Sequence, residues 1–133
     1  MKVRISRSLL EQIVHLAARQ AVEVCGLLLG EGRRITAILP AANVALDPAR
    51  HFELDPAILI AAHRAARQGG PAVLGHYHSH PSGRAEPSRT DVECARPDGT
   101  LWLIVGGEGA RLWVAQAGED GNLRFIEADL ATE

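Results

Sequence analysis

The sequence predicts a mixed α/β (α+β) fold, one mixed β-sheet flanked by helices. The periodicities follow the order β-α-β-β-α-β-α-β-β-β, which suits a mixed sheet rather than an all-parallel doubly wound one. Leu101-Trp102-Leu103-Ile104-Val105 is an unbroken apolar run between glycines, the pattern of a strand buried on both faces. The 133 residues, 47% hydrophobic and 23% charged, have the composition and length of one globular domain, expected to span 1–133. At this length a fold buries about two-thirds of its unfolded surface, enough for a core without disulfide staples.

Each element has a local reason. Residues 2–5 alternate like a short strand. Ser8 and Glu11 have the spacing of a capping box, and Leu9, Leu10, Ile13, Val14 and Ala17 follow at helical intervals, which predicts a helix over about 7–19. Residues 23–30 and 33–40 read as a hairpin turning at Gly30-Glu31-Gly32. Asp55-Pro56 supplies an N-cap and an N1 proline for a helix that stops at Gly69-Gly70-Pro71. A strand over 72–80, a Pro/Gly/Ser loop over 81–87 and a short helix over about 89–96, stopped by Pro97 and Gly99, come next. After the buried strand at 101–105, residues 110–117 and 122–127 read as two more strands joined at Gly118–Asn122.

Composition excludes several function classes. Fourteen basic residues, of which only Lys2 is lysine, face 16 acidic ones for a net charge of −2, and the longest basic run is Arg33-Arg34. No electrostatic footprint for nucleic acid is present. No apolar run approaches the roughly 18 to 20 residues of a membrane span, and the first residues lack the apolar block of a signal peptide, so the expected location is cytoplasmic. In that setting Cys25 and Cys94 are expected to be reduced, mostly buried thiols.

The six histidines carry the information. On a strand, His78 and His80 point to the same face, and two parallel imidazoles at a strand end suit a divalent metal, zinc above all. Asp91 begins the next helix, where its carboxylate can fold back as a third ligand and leave a fourth position open. An H-x-H pair alone is common. Ser88-x-x-Asp91 also has the spacing of a helix cap, with Ser88 at N-cap and Asp91 at N3. Capping and ligation can coexist, because a cap fixes the helix start and hence the direction of the carboxylate. His76 shares the face of its neighbours but lies roughly 13 Å from His80, which favours a packed or supporting role. His15 and His63 fall on helices, and His51 in a loop. Glu23 opens an apolar strand, where a carboxylate is either solvated at the strand mouth or kept for a functional reason.

Taken together, Glu23 with Cys25-Gly26-Leu27-Leu28-Leu29-Gly30, then His78-x-His80, a seven-residue gap and Ser88-x-x-Asp91, resemble the JAMM motif of the JAB1/MPN/Mov34 metallopeptidase family, in its stand-alone prokaryotic form. The resemblance covers about residues 1–117. It implies the family's MPN/JAB1-like, cytidine-deaminase-like fold and one Zn2+ per chain held by His78, His80 and Asp91, with water in the fourth position. It further implies that Glu23 serves as the base that passes a proton to the leaving amine, and that Ser88 donates to the oxyanion. The implied reaction is hydrolysis of an amide or isopeptide bond after the C-terminal Gly-Gly of a ubiquitin-like or sulfur-carrier protein, with no membrane or nucleic-acid partner and a homodimer left open.

Three other readings stand beside it. A non-catalytic MPN-type binding module usually lacks metal ligands, and here none is missing. A RadC-like, DNA-repair-associated role is suggested by His80-Pro81-Ser82-Gly83, whereas the Glu23-x-Cys25-Gly26-Leu27 segment favours the sulfur-carrier peptidases. A cysteine peptidase would use Cys25, which has no cationic neighbour in sequence to lower its pKa.

Overall fold

The computed structural model describes residues 1–133 and contains ten elements in the expected order: β1 (Lys2–Ile5), α1 (Arg7–Ala17), β2 (Cys25–Glu31), β3 (Arg34–Ala41), α2 (Pro56–Arg67), β4 (Ala72–Ser79), α3 (Arg89–Cys94), β5 (Leu101–Gly106), β6 (Gly109–Ala117) and β7 (Leu123–Thr132). The mixed sheet and its flanking helices are as the sequence predicts. The sheet also closes on itself, in the order β1-β3-β2-β4-β5-β6-β7. The closing pair is β1 with β7, parallel, in register from Lys2 opposite Asp129 to Ile5 opposite Thr132. Closure explains why β7 runs five residues past its expected end: the tail pairs with β1 although its own sequence does not alternate cleanly.

Inside the sheet, alternate residues of neighbouring strands meet. Leu28, Tyr77, Leu103, Val105 and Leu112 are buried in one cluster with Val3 and Ile5, and Ile13 of α1 joins them. β2 carries Gly26 opposite Tyr77, where any Cβ would overlap the phenol ring. Leu101–Val105 is buried throughout, as its composition requires.

Helix caps follow sequence chemistry with one correction. The N-cap of α1 is Ser6, whose hydroxyl accepts from Leu9 N–H at 3.1 Å, so Ser8 lies inside the helix and the Ser8/Glu11 box does not form. The helix ends at Ala17, and Arg19 takes a left-handed φ of 60° on the way out. Asp55 caps α2 through Ala57 N–H at 3.0 Å, with Pro56 at the first turn as expected. Cys25 and Cys94 are both free, but only Cys25 is buried; Cys94 is exposed on the solvent side of the short α3. No helix is long and apolar enough to cross a membrane.

Candidate active site

Only four polar or charged residues are buried in this chain: Glu23, His78, Ser79 and Asp91. They belong to one place. Strand β4 sends Tyr77 and Ser79 inward, so His76 and His78 emerge on the outer face, and His80 follows just past the strand end. Helix α3 then returns Asp91 to the two imidazoles. His78 Nε2 and His80 Nε2 are 3.0 Å apart, and Asp91 Oδ2 lies 3.2 Å from the first and 3.1 Å from the second.

Asp91 is aimed by its own helix. Its backbone N–H donates to the Ser88 hydroxyl at 3.1 Å, and its Oδ2 accepts from Ser88 N–H at 2.9 Å, a complete capping box. The capping reading of this spacing holds, and the cap aims the carboxylate at the two imidazoles. His80 is oriented from its other ring nitrogen, which lies 2.7 Å from the Arg84 carbonyl. The loop that supplies this carbonyl is strapped down: Trp113 Nε1 donates to Ala85 O at 2.9 Å, and Ala85 N–H donates to the Glu108 carboxylate. His78 Nδ1 has no hydrogen-bond partner; a face-to-face stack on Phe52, with centroids 4.2 Å apart, holds that ring instead.

Glu23 precedes β2 rather than opening it, since the strand begins at Cys25. It is 5% exposed, and its carboxylate and the two imidazole nitrogens all lie within 4.8 Å of one another. Its backbone is fixed on both sides: the N–H donates to Pro48 O at 2.7 Å and the C=O accepts from Asn43 Nδ2 at 2.8 Å. The next residue, Val24, exchanges two hydrogen bonds with Ser79, one to the hydroxyl at 2.9 Å and one from the Ser79 N–H at 3.0 Å. Burial pushes the Glu23 carboxyl up to about 7, with the nearby Asp91 charge adding to the effect and His80 opposing it. Burial also works against ionisation of Asp91, but the hydrogen bonds from His78, His80 and Ser88 outweigh it and hold that carboxyl well below its ordinary range. Desolvation lowers the pKa of His78, with Asp91 partly offsetting it.

The donor set fits a small divalent cation. Ligands about 2.0–2.1 Å from a tetrahedral centre are separated by about 3.3 Å, and the observed triangle has edges of 3.0 to 3.2 Å. Two imidazoles and one carboxylate suit zinc, as three donors of a four-coordinate ion. An open groove of about 420 Å³ passes Glu23, Arg50, His80, Pro81, Glu86 and Ser88. A second cavity, of about 380 Å³, lies behind His76 and Trp102 and touches none of the three donors.

Residues 6–117 match the family model of prokaryotic homologs of the JAB domain. The chain belongs to that family. It is similar to a desampylase of Haloferax volcanii, 40% identical over 113 residues that cover 84% of this chain and 78% of the relative. A probable TtuB-protein conjugate cleaving protease of Thermus thermophilus is 33% identical over 117 residues, 87% of this chain and 78% of that one. The fold matches a JAB1/MPN domain protein of Archaeoglobus fulgidus with a TM-score of 0.61 at 21% identity, covering 98% of each chain. This JAB-family chain is thus a hydrolase of the JAMM type, in agreement with the expected family and fold.

The cysteine-peptidase reading falls. Cys25 is 1% exposed, its thiol faces the Ala41 and Ala42 carbonyls at 3.7 and 3.8 Å, and burial, aided by the Glu23 charge, pushes it up to about 11. His76 is packed, with its ring 4.4 Å from Trp102 and 5.3 Å from Phe52, outside the donor triangle. His15, His51 and His63 are exposed and take no part. Three contributors went unseen in the sequence: Asn43, Phe52 and Ser79. Phe52 and Asn43 sit in the 42–54 loop, where no periodicity marks them, and Ser79 sits between the two histidines but faces the other way.

Proposed function

We propose that this protein is a zinc-dependent peptidase that cuts an amide or isopeptide bond after the C-terminal Gly-Gly of a ubiquitin-like or sulfur-carrier protein. The observation that carries the reading is the triangle of His78, His80 and Asp91 with the buried Glu23 carboxylate facing it. The names of the two relatives, a desampylase and a conjugate-cleaving protease, support the substrate class.

His78, His80 and Asp91 would hold the zinc, which when bound would supply Lewis acidity to a water and to the scissile carbonyl. Glu23 accepts the proton of the attacking water and returns it to the leaving amine, a role that suits a carboxyl whose pKa burial has pushed to about 7. Ser88 uses its hydroxyl oxygen to accept from Asp91 N–H, so the hydroxyl proton remains available to donate to the oxyanion. The groove that would receive the substrate tail is lined by Glu23, Arg50, Pro81, Glu86 and Ser88. Lacking a Cβ, a Gly-Gly tail can approach the site more closely than any other, which gives a physical basis for selectivity.

The test is a mass-spectrometric cleavage assay on a Gly-Gly-tailed sulfur carrier extended by a few residues, and on the same tail joined to a lysine side chain. Cleavage after Gly-Gly by the zinc-loaded protein, lost on chelation and in Glu23→Gln, is the expected result. Cleavage that survives chelation removes the metal from the reaction, and no cleavage of any such tail by zinc-loaded protein removes the substrate class.

A further inference from the structure

Asn43 leaves none of its side-chain hydrogen-bonding groups idle. Its Nδ2 donates to Glu23 O at 2.8 Å and to His51 O at 2.9 Å, with Pro48 O at a longer 3.4 Å. Its Oδ1 accepts from Ala45 N–H at 3.0 Å and Glu53 N–H at 3.1 Å. The amide orientation is fixed by these partners, because a flip would set its hydrogens against two N–H groups and its oxygen against carbonyls. The acceptor and donor on either side of Phe52, His51 O and Glu53 N–H, are both held by this one amide. Phe52 in turn stacks on His78 at 4.2 Å, with ring planes 17° apart.

The same amide therefore grips two parts of the site that share no strand. On one side it holds the carbonyl of Glu23, whose N–H is already tied to Pro48 of the same loop. On the other it holds the peptide that carries the aromatic face against His78. Glu23 sits in an irregular segment before β2, so no strand ladder sets its position; Asn43 and Pro48 hold its backbone instead, and Ser79 holds the next residue, Val24.

We propose that Asn43 is a positioning residue for the hydrolytic site, setting the Glu23 carboxylate and the Phe52 ring over His78 as one unit. The catalytic half of this inference rests on the function proposed above; the structural half does not. The geometry needed is tight, since a displacement of about 1 Å in a reacting group can cost roughly 10²-fold in rate.

The experiment uses the full-length, zinc-loaded protein and the variants Asn43→Ala, Asn43→Asp and Phe52→Leu. Asn43→Asp keeps the acceptor for Ala45 and Glu53 but loses the donors to Glu23 and His51. In cleavage of the extended carrier, both Asn43 variants are expected to lose roughly 10-fold or more in kcat with KM within about threefold. Asn43→Ala should cost less when made in Glu23→Gln than in the wild type, because part of its effect runs through that residue. By NMR, the His78 ring protons should move downfield in Phe52→Leu, which removes the ring current of the stacked phenyl, and likewise in Asn43→Ala. A variant that only melts earlier, with wild-type kcat and an unmoved His78 signal, overturns the proposal, as does a loss fully additive with Glu23→Gln. If the wild type cleaves no carrier, the substrate reading fails on that result, and the His78 resonances alone decide the role of Asn43.

Discussion

Ser88 and Asp91 bind each other twice, hydroxyl to N–H at 3.1 Å and N–H to carboxylate at 2.9 Å, and the carboxylate oxygen in that second bond is the one that meets both imidazoles. Helix start and carboxylate direction are therefore one geometric fact. Replacing Asp91 with Ala removes a corner of the donor triangle and half of the capping box. The expected result is a drop in zinc affinity of roughly 10²-fold or more, read by competition with a chromophoric chelator, together with a loss of about 1 kcal/mol from the cap. Unchanged metal content would leave Asp91 as a cap only.

Glu23→Gln keeps the size and the backbone ties of Glu23 while removing its ability to carry a proton. Zinc stoichiometry should remain one per chain, and turnover should fall by roughly 10²- to 10⁴-fold. Inductively coupled plasma analysis and single-turnover cleavage check the two halves separately, and retained turnover would remove Glu23 as the base.

Tyr77 has a buried hydroxyl without a hydrogen-bond partner, inside the sheet and over Gly26. Tyr77→Phe should therefore be neutral or stabilising by up to about 1 kcal/mol, an unusual outcome for a buried aromatic. Gly26→Ala, which drives a methyl into the same ring, should destabilise by about 1–3 kcal/mol. Urea denaturation of the two variants measures both.

The two thiols should separate cleanly in a labelling experiment. At pH 8 the exposed Cys94 should react with iodoacetamide in the folded protein, and Cys25 only after unfolding. The Cys25 thiol titrates near 9.0 when unfolded and is pushed by burial to about 11 when folded. Its contribution to stability is therefore fully present below pH 9 and is lost as pH rises from 9 through 11. Cys25→Ala should show a smaller fall in Tm across that interval than the wild type.

Much of the site was legible because its residues lie in elements whose periodicity the chain declares. Alternation on β4 puts His78 and His80 on one face, and the Ser88/Asp91 spacing marks a helix start. Glu23 was visible as an acid beside an apolar run. What holds Glu23 was not, because Asn43 reaches it by side-chain bonds across 20 positions from a loop with no repeating pattern. Phe52 was invisible for the same reason, since its partner His78 lies 26 positions away and only the folded loop brings the two rings together. The closure of the sheet is not legible because the alternation of β7 shifts phase between Ile126 and Glu127, and pairing with β1 is a property of the whole barrel rather than of either strand.

The parallel β1–β7 pair has a mechanical consequence. Residue 1 lies at the leading end of one strand and residue 133 just beyond the trailing end of its neighbour, with Met1 O accepting from Asp129 N–H and Ile5 O from Glu133 N–H. Tension applied between those two residues would shear the seam, loading its hydrogen bonds together instead of peeling them one at a time. Tension applied between residues 41 and 72, in β3 and β4, which flank β2 and each run antiparallel to it, would meet different ladders. The seam therefore makes the resistance of this small enzyme to pulling depend on where the force is attached.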